Sequence, residues 1–411
     1  MIDFVKKAKK ASFVIASLRD DKKQKILKEM ASALRNNAKT IIEANQKDMT
    51  YANEANLNSA LKDRLFLDEK RVNAMATALE EIAALKNPVG RVLEGWVNPN
   101  GLKIEKVAVP IGVIGVIYES RPNVTSDVAG LCFKSGNVAI LKGGKEAINS
   151  NIAIADLIQS VLEKNSLPKE AIAMIPDSSR EGVDKLIKMD KYIDLIIPRG
   201  GEALIRHINE NSSVPVVKHD KGLCHIFVEK TADFDKSIPI LINAKTQRPG
   251  VCNAMETLLI DKKIAKGFLP IAKKAFDEKN TELRGCEKTT KIIEIKSATE
   301  EDWDTEYLDN ILSIKIVDGL DDAIEHIAKY GSGHSDAILS ENHQAIEDFL
   351  NRVDSACVYA NASTRFTDGG AFGFGAEVGI STNKLHSRGP MGINDLTTYK
   401  FKINGDWHIR E

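Results

Sequence analysis

The chain has 411 residues and a formal net charge of −1, with an isoelectric point near 6.7. That balance lacks the basic excess needed for a nucleic-acid or anionic-membrane partner, so neither is expected; a local basic pocket for a small phosphorylated ligand stays open. Hydrophobic residues at 43% and charged residues at 28% allow a sizeable core, and the length allows about two domains.

The N-terminus, MIDFVKKAKKASFVIASLRDDKK, breaks into charge too early for a signal peptide. No run of about 18 uncharged apolar residues offers a membrane span. The five cysteines, Cys132, Cys224, Cys252, Cys286 and Cys357, form no C-x-x-C pair and no zinc-ligand spacing. With an odd count and no disulfide framework, a reducing compartment, the cytoplasm, is expected, and no metal site.

Residues 1 to about 87 read as helices. Apolar positions recur at helical spacing through Ile26, Met30, Leu34 and Ala38, and again through Val72, Met75, Leu79 and Ile82. Asn87-Pro88 stops the last of these helices. Near residue 92 the chain turns rich in β-branched residues, and Asn100-Gly101 signals a hairpin turn. From Val113 apolar strands alternate with helices. The strands are expected at Val113–Tyr118, Val138–Lys142, Ala171–Ile175, Ile193–Ile197 and Val214–Val217. The helices between them are expected at Ser126–Lys134, Ser150–Lys164, Arg180–Lys188 and Glu202–Asn209. Alternation of this kind makes a parallel sheet covered by helices, which binds ligands at the carboxyl ends of its strands. A second alternating block starts near Cys224, with strand-like HIFVE, METLLI, KIIEI, LSIKIV, HSDAIL and CVYAN and helices at Ala265–Asn280, Leu320–Lys329 and Ala345–Val353. The tail carries one more strand-like run, Leu396–Phe401, which pairs with the residue-100 hairpin either within the chain or across a dimer.

The cysteine context KTQRPGVCNAMETLL carries the most chemistry. Gly250 lets the backbone turn close to a ligand, Arg248 brings positive charge toward the thiol, and Asn253 and Glu256 make the flank polar. A reactive cysteine works as the thiolate, and nearby cations favour that form. Cys132, Cys224 and Cys357 lie in helical or strand-like apolar runs and read as core; Cys286 reads as a loop residue. Two glycine pairs, in VAILKGGKEA and LIIPRGGEALIRHI, end a strand and open a helix. Such turns place phosphate against free backbone N–H groups, though they also end many strands without a ligand.

Six motifs carry a resemblance that runs essentially end to end: VIYESRPNVTSD, VAILKGGKEAINSN, IPRGGEALI, KTQRPGVCNAMETLL, AIEHIAKYGSGHSDAIL and FTDGGAFGFGAEVGISTNKLHSRGPMG. On them the chain resembles the γ-glutamyl phosphate reductases of the aldehyde dehydrogenase superfamily. The resemblance implies two tandem Rossmann-like parallel-sheet domains, a cofactor domain over 1–92 and 109–223 and a catalytic domain over 224–391. A small β oligomerisation element, 93–108 with 392–411, completes the expected α/β fold. It implies reduction of L-glutamyl 5-phosphate by NADPH to L-glutamate 5-semialdehyde and phosphate, the second step of proline biosynthesis from glutamate.

Cys252 matches the superfamily's nucleophile and Asn123 the side-chain donor of its oxyanion hole, with the Cys252 N–H as the second donor. For the cofactor, Lys142 matches the lysine that binds the adenosine ribose. Lys145 follows where a positive charge meets a 2′-phosphate, with the acid Glu146 beside it. Gly144 is a further cofactor residue, Gly200 and Gly201 line the pyrophosphate and nicotinamide, and Glu306 resembles the acid that holds the nicotinamide ribose. Arg121 and Arg248, near Asn123 and Cys252 in sequence, are candidates for the acyl phosphate or for an ion pair between domains. The resemblance further implies a homo-oligomer and allows a transient glutamate 5-kinase partner; no kinase block is read in the chain itself. His326 on a helix and His334 after Gly331-Ser332-Gly333 are expected in a structural loop near the site.

One departure bears on the reaction. Superfamily members that hydrolyse their thioester carry a general-base Glu on the segment linking the domains. Here that segment, VVKHDKGLCHIFV, holds no Glu near His219. The missing base favours an acyl-phosphate reductase over a hydrolysing dehydrogenase, with His219 a weak alternative base. A silent dinucleotide-binding scaffold is the third reading, disfavoured because Cys252, Asn123 and the glycine turns are all present.

Overall fold

The structure, a computed structural model, describes residues 2–217 and 221–410, the side chains of residues 59 and 60 excepted. His219 lies outside the described residues. The chain divides into two compact units, one of Met1–Lys218 with Gly373–Gly379 and Met391–Glu411, the other of His219–Phe372 with Ile380–Pro390.

Five helices open the chain: α1 (Ile2–Ala16), α2 (Asp20–Asn36), α3 (Ala38–Glu54), α4 (Ser59–Leu65) and α5 (Glu69–Ala84). The expected stripe is buried at Ile26, Met30, Leu34, Val72, Met75, Leu79 and Ile82, with Ala38 at its margin. Side chains set two of the starts: Asn58 and Asp68 accept hydrogen bonds from Leu61 N and Arg71 N, satisfying donors a helix leaves open. The helix α5 ends at Ala84, ahead of Asn87-Pro88.

After the hairpin β1 (Val92–Val97) and β2 (Lys103–Pro110) come β3 (Val113–Tyr118), α6 (Pro122–Lys134), β4 (Val138–Gly143), α7 (Ile148–Lys164), β5 (Ile172–Met174), α8 (Arg180–Leu186), β6 (Leu195–Arg199) and α9 (Glu202–Asn211). The strands form a parallel sheet in the order β5-β4-β3-β6. Every residue of β3 and β4 is buried, which is why both read as unbroken apolar runs. The expected strand Val214–Val217 is reduced to a single parallel bridge, Ile196 to Val216. Val214 and Val217 are buried, and two backbone hydrogen bonds, Ile196 N to Pro215 O and Val217 N to Ile196 O, tie the run to β6.

The second unit holds β7 (Cys224–Val228), α10 (Phe234–Thr246), β8 (Met255–Asp261), α11 (Ala265–Asp277), β9 (Glu282–Gly285), α12 (Glu287–Thr290), β10 (Lys296–Ser297), β11 (Ile311–Val317), α13 (Leu320–Tyr330), β12 (Ser335–Leu339), α14 (His343–Arg352) and β13 (Cys357–Ala360). Its seven-stranded sheet runs β10-β9-β11-β8-β7-β12-β13. The expected strand KIIEI is not one. Ile292 N and Ile293 N both bond to Thr289 O, prolonging the turn of α12, while Ile293 is buried against the core of this unit.

Short strands β14 (Gly379–Ser381) and β15 (Gly389–Met391) pair, and the tail strand β16 (Thr397–Asn404) closes an antiparallel sheet β1-β2-β16. The tail therefore pairs with the hairpin inside one chain, Thr397 opposite Pro110 through Asn404 opposite Lys103. Buried Asn137 joins the tail to the first unit: its amide donates to Leu396 O at 2.7 Å, and its oxygen accepts from Gly112 N at 2.7 Å. Among the described residues no helix is long and apolar enough to cross a membrane.

Candidate active site

In the first unit, the expected cofactor residues lie at the carboxyl ends of β4 and β6, where open α/β sheets take ligands. Gly144 leads β4 into a short helical turn and then α7, and Gly201 caps α9. The N–H of Gly201 bonds to the Glu119 carboxylate at 2.8 Å. A Cβ on Gly200 would come within 2.6 Å of that same carboxylate. The start of α9 therefore already holds one negative group, as the open N–H groups and dipole of a helix start favour.

Lys142 is buried, and burial holds its ammonium below the usual lysine range, with Asp177 and Glu146 pulling the other way. Lys145 is exposed and lies 5.8 Å from the Tyr51 ring centre. Glu146 turns inward: one of its oxygens accepts from Ser120 N at 2.7 Å and Ser120 Oγ at 2.9 Å. Sequence reasoning missed Arg180, at the first position of α8. Its charge acts on Lys145, which adds a second cation beside that lysine.

Asn123 is exposed at the start of α6, and its amide donates to Asp127 at 2.9 Å. Asp127 was also missed, although the four-residue spacing on one helix was the available signal. Burial pushes its carboxyl up to about 6, against the Asn123 and Ser126 hydrogen bonds and the charge of Arg199. Arg121, just before α6, is half-buried.

In the second unit, Cys252 is half-buried on the loop ahead of β8. The loop lies at the amino end of this sheet, beside the starts of β7 and β12, not at the carboxyl end that the general rule for parallel sheets suggests. Gly222 is packed on it: a Cβ there would stand 2.1 Å from Cys252 O and 2.3 Å from its Cα. The Cys224 thiol donates to Cys252 O at 3.2 Å and lies 3.7 Å from His334 Nδ1. Gly250 does not have left-handed backbone, and the close packing against Cys252 comes from Gly222.

The flank of the cysteine differs from its expected polar character. Asn253 is buried and turned inward, donating to Thr367 O at 2.8 Å, while Thr364 Oγ1 donates to Asn253 O at 2.8 Å. Glu256 is buried inside β8 and paired with buried Lys245 at 2.6 Å. Burial raises the Glu256 carboxyl to about 8 and lowers Lys245, while each charge opposes the shift of the other. Glu256 also accepts from Leu308 N at 3.4 Å, which anchors the segment carrying half-buried Glu306.

Arg248 is exposed, and no ion pair holds it among the described residues. Beside it stands Arg365, another residue that sequence reasoning did not single out. His326 is buried against Trp303, Tyr330 and His225; burial pushes it down to about 2, so it is neutral and structural. No group of three metal-ligating side chains occurs among the described residues.

Two outcomes follow. Gly222→Ala should displace the Cys252 backbone and slow iodoacetamide alkylation of that thiol by tenfold or more while the chain stays folded, since a contact near 2 Å cannot relax without moving backbone; alkylation rate with circular dichroism checks both. The second concerns Asp127. A carboxyl raised from about 4 to about 6 contributes its stability below pH 4 and loses it as the pH rises through 6. Asp127→Asn should therefore gain on the wild type, by about 1 kcal/mol, between pH 5 and pH 8 in urea unfolding.

The chain matches the aldehyde dehydrogenase family over residues 1–292, a span that includes Cys252. It is 66% identical over 411 residues to the γ-glutamyl phosphate reductase of Nautilia profundicola, covering all of both chains. It is 65% identical to that of Nitratiruptor sp., again end to end. The crystal structure of the Thermotoga maritima γ-glutamyl phosphate reductase superposes with a TM-score of 0.98 at 48% identity, covering 100% of this chain and 99% of that one. An acetylating aldehyde dehydrogenase of Geobacillus thermoglucosidasius shares the fold at 17% identity and a TM-score of 0.70. The chain belongs to the aldehyde dehydrogenase family and, within it, to the γ-glutamyl phosphate reductases.

Proposed function

We propose that this enzyme reduces L-glutamyl 5-phosphate to L-glutamate 5-semialdehyde with NADPH, through a thioester on Cys252. The observation that carries the reading is the Cys252 loop: a half-buried thiol beside two arginines, held by Gly222 and Asn253, in a chain related end to end to γ-glutamyl phosphate reductases. Cys252 Sγ bonds to the γ-acyl carbon, and the bond to phosphate breaks with its electron pair leaving on oxygen. Asn123 and the Cys252 N–H serve as donors to the oxyanion, each worth about 3 kcal/mol in such sites. Asp127 fixes the direction of the Asn123 amide. Arg248, with Arg121, serves the anionic substrate. The linking segment carries no Glu, which supports return of the acyl group to phosphate and not to water.

The first unit suits a dinucleotide. Lys142, Gly144, Lys145, Gly200 and Gly201 would hold it, and Glu306 is proposed as the acid for the ribose next to the nicotinamide. The start of α9 takes a carboxylate even now, and a Cβ on Gly144 or Gly200 would strike the carboxylate of Glu146 or Glu119. Exposed Lys145 with Arg180 beside it, and Glu146 turned to Ser120, supports NADPH over NADH. When bound, the cofactor supplies the hydride that reduces the thioester.

The sheet β1-β2-β16 supports a homo-oligomer. Tyr399, Phe401 and Ile403 alternate along β16 at 51%, 51% and 60% exposure, and Trp96 meets Phe401 edge-on at 6.2 Å. Such an apolar face suits a second copy of the chain.

The reverse reaction tests the chemistry. Glutamate 5-semialdehyde should reduce NADP⁺ only when phosphate is present, and NAD⁺ far less well. Cys252→Ser should lose at least about a thousandfold. Turnover without phosphate would point to a hydrolysing dehydrogenase, and near wild-type turnover by the serine variant would remove the covalent step.

A further inference from the structure

Arg365 lies far from Cys252 in sequence, at the turn Thr364–Phe366, yet it grips the cysteine loop from both sides. Its Nε donates to Gln247 Oε1 at 2.9 Å, and its Nη1 donates to Asn253 Oδ1. The second amino group, Nη2, has no hydrogen-bond partner among the described residues. Arg365 is half-buried, and the like charge that acts on it is Arg248, next in sequence to its partner Gln247.

Two guanidinium groups side by side repel unless an anion lies between them. The acids nearby do not fill that role. Asp368 is turned to its own loop, accepting from Gly370 N at 2.9 Å and Ala371 N at 3.2 Å. Glu256 is committed to Lys245. No salt bridge engages Arg248 or Arg365 among the described residues; Asp368 and Cys252 act on Arg365 through charge alone.

We propose that Arg365 is the second half of a phosphate subsite, paired with Arg248, that receives the phosphoryl end of the acyl phosphate beside Cys252. The assignment rests on the acyl-phosphate reading given above. As Sγ bonds to the acyl carbon, the carbon–oxygen bond breaks and its electron pair passes to the leaving phosphate, whose charge grows next to both guanidiniums. Arg365 also ties this charge to the position of the thiol, because the group that meets phosphate holds Gln247 and Asn253 on either side of Cys252.

The test follows protection of Cys252 from iodoacetamide by inorganic phosphate, read by peptide mass spectrometry, with the phosphate KM of the reverse reaction beside it. Phosphate should protect the wild type. Arg365→Gln should raise both the half-protecting concentration and the phosphate KM roughly ten- to hundredfold, with the NADP⁺ KM unchanged. Arg365→Lys, which keeps the charge and loses the fork, should fall between. Protection of the glutamine variant at the wild-type concentration would overturn the assignment. So would equal damage by lysine and glutamine to the alkylation rate without phosphate, with phosphate affinity intact, since that describes a loop support alone. Phosphate-dependent turnover by a wild type that phosphate does not protect would overturn the subsite and leave the reductase reading standing.

Discussion

The absence of a side chain at Gly222 is the constraint on which the Cys252 loop depends. The backbone of Cys252 occupies the space a Cβ would need, so the start of β7 and the loop ahead of β8 sit backbone on backbone. The Cys224 thiol then reaches Cys252 O, and Asn253 turns inward to Thr364 and Thr367 instead of toward water. Each contact uses main-chain or buried polar groups, which hold position well because leaving them unpaired is costly. The backbone that carries the sulfur is thereby held on both sides, which is the preorganisation the proposed covalent step requires.

The buried pair Lys245–Glu256 extends that support. Replacing such a pair by apolar side chains often stabilises a protein, so its presence is weak as an argument from stability. Its position is more informative. Lys245 is on α10 and Glu256 on β8, the two elements that bracket the cysteine loop, and Glu256 also receives Leu308 N next to Glu306. One ionic contact thus sets the loop and the segment of a proposed cofactor ligand together. In the first unit the corresponding device is the seating of Glu119 at the start of α9, a carboxylate where an anionic ligand is expected.

Much of this was legible before any coordinates. Strands such as Val113–Tyr118 and Val138–Gly143 are buried on both faces and therefore unbroken in hydrophobicity, and the helices of the first unit show their stripe plainly. Two runs fell short of the strands expected: Val214–Val217 pairs only through a bridge to Ile196, and KIIEI turns on from α12; composition reports burial more than a ladder. The chemistry proposed for Cys252 comes from its sequence neighbours and from family motifs. Its supports were not legible there. Gly222 and Arg365 are far from it along the chain, and a glycine or an arginine announces no partner until the fold brings one near. Glu256 misled for the same reason: four residues from Cys252 it looks like a polar flank, yet it lies in the fully buried β8 and pairs with Lys245 in the core.

The central claim is that Cys252 takes the acyl group before any hydride moves. It is tested most directly by mixing the enzyme with L-glutamyl 5-phosphate in the absence of cofactor and reading the intact mass and the Cys252 peptide. The account predicts one glutamyl adduct per chain on Cys252, with one equivalent of phosphate released and the adduct discharged when NADPH is added. Phosphate release with no adduct on Cys252, or an adduct that NADPH does not discharge, would contradict it.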